Sequence, residues 1–162
     1  MAYLKNDRRG RMKIDPVFLL EGFPLEDGAV IYANSLAVVT DAAEIGRIED
    51  HNDATAKAVV FSDERLQMPE EGKAYDFNGL NARSHVDGIN EANFEILSHV
   101  TVLLDAVGLT VGNVGDLVYA VDDHTVEVSA DPDTEARPAV GRIDKVFSPT
   151  LAFVYIPGLK RQ

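Results

Sequence analysis

The chain reads as an all-β protein: a barrel- or sandwich-like body built from two related β units, with an extended N-terminal arm and a long irregular connection. Three observations predict this. Short runs of Val, Ile, Tyr, Phe and Thr recur along the chain, separated by Gly, Pro, Asn and Asp turn chemistry. The last third, Gly115 to Gly158, packs three or four such runs into close succession. The chain also repeats itself. Gly28-Ala-Val-Ile-Tyr-Ala33 echoes Gly115-Asp-Leu-Val-Tyr-Ala120, and Ile45-Gly-Arg-Ile-Glu49 echoes Val140-Gly-Arg-Ile-Asp144. Ala56 to Phe61 then echoes Leu151 to Ile156, so three matches fall in the same order.

Taken in order, residues 1–15 are polar, basic and aperiodic, which predicts an extended arm. Residues 16–162 form a single β-rich domain, with repeat-like units at about 28–61 and 115–158 joined by 62–114. Pro16 to Leu20 is a short apolar run suited to a strand or an anchoring segment. Ala29 to Ala33 and Leu36 to Thr40 meet at Ala33-Asn34-Ser35, which reads as a hairpin turn. The repeat favours a strand at Ile45 to Ile48, a charged turn at Glu49 to Asp53 and a strand at Ala56 to Phe61. Residues 62–93 show no sustained period beyond a short strand near Lys73 to Phe77, and a connection this long is a contact element or a mobile one. Phe94 to Leu104 fits a strand, with Phe94, Ile96, Val100, Val102 and Leu104 on one face, but also a helix ending at Gly108. Its β-branched content favours the strand.

Several function classes are disfavoured by composition. The chain is 46% apolar and 26% charged over 162 residues, enough for one sizeable core or two small β units. It contains no cysteine, which removes disulfides, thiolate metal sites and cysteine nucleophiles, and fits synthesis in a reducing cytoplasm. The basic N-terminus has no apolar signal core behind it, and no run approaches the length of a membrane helix, so no membrane association is expected. A net charge of −12 argues against nucleic acid as partner. In residues 1–15, Lys5, Arg8, Arg9, Arg11 and Lys13 stand against Asp7 and Asp15, a net of +3 that leaves −15 on the body. A basic arm on an acidic body suggests docking on something acidic.

No catalytic signal rises above background. His51, His85, His99 and His124 are not paired at metal-ligand spacing, and His51 and His124 read as surface residues in charged turns. Asp122-Asp123 and Asp131-x-Asp133-x-Glu135 fit turn and solubility roles better than a calcium loop. Ser84-His85 and Ser98-His99 are merely adjacent in sequence. No nucleophile elbow, phosphate loop or dinucleotide fingerprint is present. The reading is therefore of a non-enzyme with no cofactor and no metal. Gly28 and Gly115 open strands after turns, Gly46 and Gly141 sit just inside strands where a missing side chain admits a bulge or a crossing segment, and Tyr32 and Tyr119 are packing residues.

With those residues laid out, the C-terminal pattern resembles the head decoration, or capsid cement, proteins of tailed bacteriophages. The resemblance rests on Gly115, Val118, Tyr119, Asp122, Asp123 and Thr125, then Val140-Gly141-Arg142-Ile143 and Ala152 to Ile156, about 45 residues with a looser echo at 28–61. It implies a structural virion protein on the capsid exterior that binds the major capsid protein and other copies of itself as a trimer. The basic arm then becomes the element that reaches a neighbour by strand addition. Two other classes compete: a β-structured receptor-binding or baseplate module, and a small β-barrel hydrolase or metal enzyme.

Overall fold

A computed structural model describes residues 3–5, 7–8, 12–13, 18–67, 94–129 and 136–158. The strands in chain order are β1 (Met12–Lys13), β2 (Phe18–Phe23), β3 (Val30–Ile31), β4 (Ser35–Thr40), β5 (Ile45–Arg47), β6 (Ala56–Ser62) and β7 (Leu66–Gln67). There follow β8 (Phe94–Ser98), β9 (Val100–Ala106), β10 (Leu117–Ala120), β11 (Thr125–Glu127), β12 (Ala139–Ser148) and β13 (Leu151–Ile156). Among the described residues the only helical pieces are single 3-10 turns at Ile48–Asp50 and Val111–Asn113, so the all-β expectation holds. The expected strand near 73–77 and the Asp131 to Glu135 loop lie outside the described residues.

The C-terminal half closes into a five-stranded barrel, β9-β13-β12-β10-β11, with β11 returning to β9 in parallel at Thr125↔Asp105 and Val126↔Ala106. Every other pairing in the ring is antiparallel. The N-terminal half follows the same plan. Its sheet runs β2-β8-β6-β4-β5 through antiparallel pairs, and the ends are joined in parallel where Leu25, just past β2, bridges Ile45 of β5. Strand for strand, β2, β4, β5, β6 and β8 occupy the topological places of β9, β10, β11, β12 and β13. The chain is thus a tandem of two barrels of one topology, with a β3–β7 ribbon inserted in the first.

This duplication corrects the register of the sequence echo. The echo matches β3 with β10, β5 with β12 and β6 with β13, one strand out of step with the topology. The equivalent of β10 is β4, where Leu36 to Asp41 runs parallel in role to Leu117 to Asp122 and both end in an aspartate-led turn. The expected hairpin at Ala33-Asn34-Ser35 is not formed either. β3 pairs with β7 and β4 with β6 and β5, because Asn34 N–H donates to Ser62 O (2.7 Å) and carries the chain from one neighbour to the next.

Alternation explains why β4 is buried along its whole length. Ala37 and Val39 face the first barrel's interior with Ile45, Val60, Leu66 and Ile96. Leu36 and Val38 face the other way, with Val59, Phe61 and Leu97, into a cluster continuous with Val102, Leu104, Val118, Ile143 and Val154 of the second barrel. The strand reading of 94–104 is correct, but the stretch is two strands that belong to different barrels. His99 between them adopts φ 53°, and this left-handed residue shifts the alternation by one. Leu97 therefore joins Val100, Val102 and Leu104, while Ile96 faces the other core.

Candidate interaction surface: the arm, the barrel seam and the acidic turn

The described arm residues lie across the seam between the barrels. Leu4 N–H donates to both carboxylate oxygens of Asp123 in the second barrel, at 3.1 and 3.3 Å. Asp7 accepts from Ala33 N–H (2.7 Å) in the first barrel and pairs with Arg65 (3.1 Å), whose guanidinium stands 5.5 Å over the ring of Tyr32. Arg8 touches both halves, its guanidinium donating to Asn34 O and to Leu103 O, each at 3.3 Å. Its backbone adds a bond to Ala33 O (3.1 Å) and accepts one from the Asn34 amide (2.6 Å). Burial lowers the Arg8 pKa, and Asp105, Asp123 and Asp122 partly offset this by favouring the cation. Met12 and Lys13 then add a two-residue antiparallel strand to β9, opposite Val102 and Thr101. The arm is thus a clasp on its own body.

Of the predicted arm residues, Arg8 carries the anchoring, Lys5 is exposed, and Lys13 contributes its backbone to β1. Arg9 and Arg11 lie outside the described residues. The predicted turn and strand residues fall at structural positions. Gly28 and Gly115 have φ of 74° and 89°, which only glycine adopts without strain. Gly141 lies directly against the Tyr155 carbonyl of β13. Gly46 makes room for the Glu26–His51 pair, whose Oε1 and Nε2 are 2.8 Å apart. Tyr119 is half-buried in β10, opposite Glu127 of β11.

Asp122, Asp123 and His124 form the β10–β11 turn. Asp122 Oδ1 accepts from His124 N–H (3.0 Å), an Asx turn of the kind an Asp-Asp pair favours. His124 Nδ1 is 3.1 Å from Asp122 Oδ1 and 2.9 Å from Asp123 Oδ1, with Asp105 3.9 Å from Nε2. Asp122 is only 2% exposed, so its carboxylate is a core group rather than a solubility group. The two histidines read as surface residues are not: the side chains of His51 and His124 are 12% and 18% exposed. His51 sits against Glu26 and Thr55, and His124 against Asp105, Asp122 and Asp123.

Where this turn meets the chain after β5, a cleft of about 410 Å³ opens. Tyr3, Glu49, His51, Asn52, Asp122 and Arg137 are among its walls. Glu49 pairs with Arg47, and Arg137 with Glu127 at 2.6 Å. Burial raises the Tyr3 pKa, and Asp122, Asp123 and Asp50 add to the effect by opposing a phenolate. A neighbouring recess beside Tyr32 and Asp123 is about 10 Å³, room for no more than a water.

The fold and the seam together define an all-β, tandem-barrel protein whose arm crosses its own barrel junction. No protein family, curated protein or solved structure matches the chain.

Proposed function

We propose that this chain is a structural virion protein that binds the outside of an assembled capsid and cements neighbouring capsomers, with no turnover of a substrate. The observation that carries the reading is the arm: a cationic segment laid on an acidic body through a two-residue strand, the Arg8 guanidinium and a few bonds at Leu4 and Asp7. Strand pairing this short is marginal by itself, so the segment is exchangeable with an edge offered by a neighbour. Of the residues behind the resemblance, Gly115, Asp122 and Asp123 sit at turns, Gly141 at a close strand approach and Tyr119 within β10 of a closed barrel, which suits a rigid shell-binding scaffold. Phe147 and Tyr155, 47% and 39% exposed on β12 and β13, supply apolar surface on the same barrel.

The partners under this reading are the major capsid protein and other copies of the chain, arranged as trimers on the capsid exterior. Binding only the assembled lattice adds its free energy to lattice stability by mass action, and many weak contacts suffice when they are multivalent. Co-sedimentation with expanded, undecorated heads tests the proposal, with unexpanded heads as control. Binding confined to expanded heads supports it, and no binding to either refutes it. Reversing the arm's charge (Lys5→Glu, Arg9→Glu and Arg11→Glu together) is expected to cut occupancy and flatten its salt dependence. Occupancy unchanged by that variant, and by deletion of residues 1–13, removes the arm from the mechanism.

A further inference from the structure

We propose that Asp122, Asp123 and His124 form a divalent-cation site at the barrel seam, suited to a transition-series ion such as Mn²⁺ or Zn²⁺. One oxygen from each carboxylate and one imidazole nitrogen lie within 4.8 Å of one another. A single ion with bonds of about 2.1 Å spans such a set after small side-chain adjustments.

A second observation, independent of this spacing, points to the ion. Asp122 is 2% exposed, and its Oδ2 accepts no hydrogen bond from any described residue. The nearby buried atoms Glu49 Oε1 and His51 Nε2 differ, because Arg47 and Glu26 stand beside them as charged partners. A buried anionic oxygen with no donor is costly, and a cation at that oxygen removes the cost. Asp122 also forms part of the cleft wall, which provides an entry path and room for water ligands.

The donor set selects the ion. Calcium takes six to eight oxygens, whereas one imidazole and two carboxylates match the borderline divalent metals. The site also touches the arm. Leu4 N–H is shared between Asp123 Oδ1 and Oδ2, so one oxygen can ligate while the other keeps the arm. An ion here joins the β10–β11 turn to the N-terminal clasp.

The test uses the full chain, stripped with chelator and titrated with MnCl₂, followed by electron paramagnetic resonance of free Mn²⁺ and by paramagnetic broadening of backbone amide signals. Zn²⁺ serves as competitor, with Ca²⁺ and Mg²⁺ as controls. The expected result is one equivalent bound, displaced by Zn²⁺ but not by equimolar Ca²⁺ or Mg²⁺, with broadening centred on residues 122–124 and reaching Leu4. Asp123→Asn and His124→Gln are each expected to weaken binding by at least roughly tenfold. The proposal is overturned if the wild-type chain binds no stoichiometric Mn²⁺, if the broadening centres elsewhere, or if Asp123→Asn binds as tightly as wild type. The broadening map needs no variant, so a misfolded substitution leaves the test decisive.

Discussion

Replacing Gly141 with alanine is the sharpest probe of the second barrel, because the same four-residue pattern in the first barrel provides an internal control. In Val140-Gly141-Arg142-Ile143, a Cβ at Gly141 falls inside the contact radius of the Tyr155 carbonyl oxygen, with the carbonyl carbon at 2.9 Å and Pro157 Cδ at 3.2 Å. These obstacles are mainly backbone of β13, which pairs with β12 at Arg142↔Tyr155 inside a closed ring. Relief requires the two strands to separate. Overpacking costs about 1–3 kcal/mol, and one or two ladder hydrogen bonds lost alongside add about 1 kcal/mol each. The total is about 2–5 kcal/mol, or a fall in Tm of roughly 4–20 °C for a chain of this size. In Ile45-Gly46-Arg47-Ile48 the obstacles are the ends of two side chains, His51 Nε2 at 2.6 Å and Glu26 Oε2 at 2.7 Å. These swing aside at the cost of one partly exposed Glu26–His51 contact, about 1 kcal/mol, so Gly46→Ala is expected to melt only a few degrees below wild type. Thermal melting followed by circular dichroism, with urea midpoints as a check, measures both. A Gly141→Ala protein melting within about 2 °C of wild type, or below which Gly46→Ala melts, refutes the strand-crossing argument.

Three further outcomes follow from the same structure. Leu104→Ala, at a fully buried side chain in the second barrel, is expected to cost about 2–5 kcal/mol in urea unfolding, and a loss under 1 kcal/mol contradicts the packing described. Arg8→Ala removes the guanidinium that bonds to both barrels, about 1–3 kcal/mol of arm docking. Hydrogen exchange should then accelerate at Leu4 and Ala33, while amides within β9 and β13 stay protected. Tyr3 gives a pH dependence. Its folded pKa lies above its ordinary value of 10.0, chiefly through burial, so its contribution to docking is complete below about pH 10 and is lost as pH rises through the raised value. Amide exchange across the arm is expected to speed up in that alkaline window in wild type and less so in Tyr3→Phe, and identical profiles would discount the role of the phenol.

The parts of the fold legible in the sequence are those set by short-range pattern. Alternation and β-branched content marked β4, β6, β9, β12 and β13, and the Asp122-Asp123 pair marked the turn that follows β10. The duplication was legible as an echo but not in its true register. Gly-x-x-Ile/Val-Tyr-Ala encodes a turn entering a strand, and such a turn enters the inserted β3 ribbon as readily as barrel strand β10. Phase was lost at His99, since a left-handed residue that is not glycine leaves no signature in the sequence. The surroundings of Asp122, His51 and His124 were illegible because they are assembled from residues distant in sequence: residues 49–52 and 136–138 meet Asp122 at the cleft, Glu26 meets His51 and Asp105 meets His124. The arm's positive charge was visible from composition, whereas its anchoring at Asn34, Leu103 and Asp123 depends on long-range contacts.

Cryo-electron microscopy of expanded, undecorated phage heads incubated with the purified chain tests the cement reading most directly. Added density is expected on the outer surface at local symmetry axes, each copy accommodating two packed barrels, with heads gaining resistance to heat. Heads that remain bare at saturating protein, or density confined to a tail or receptor-facing position, would contradict it.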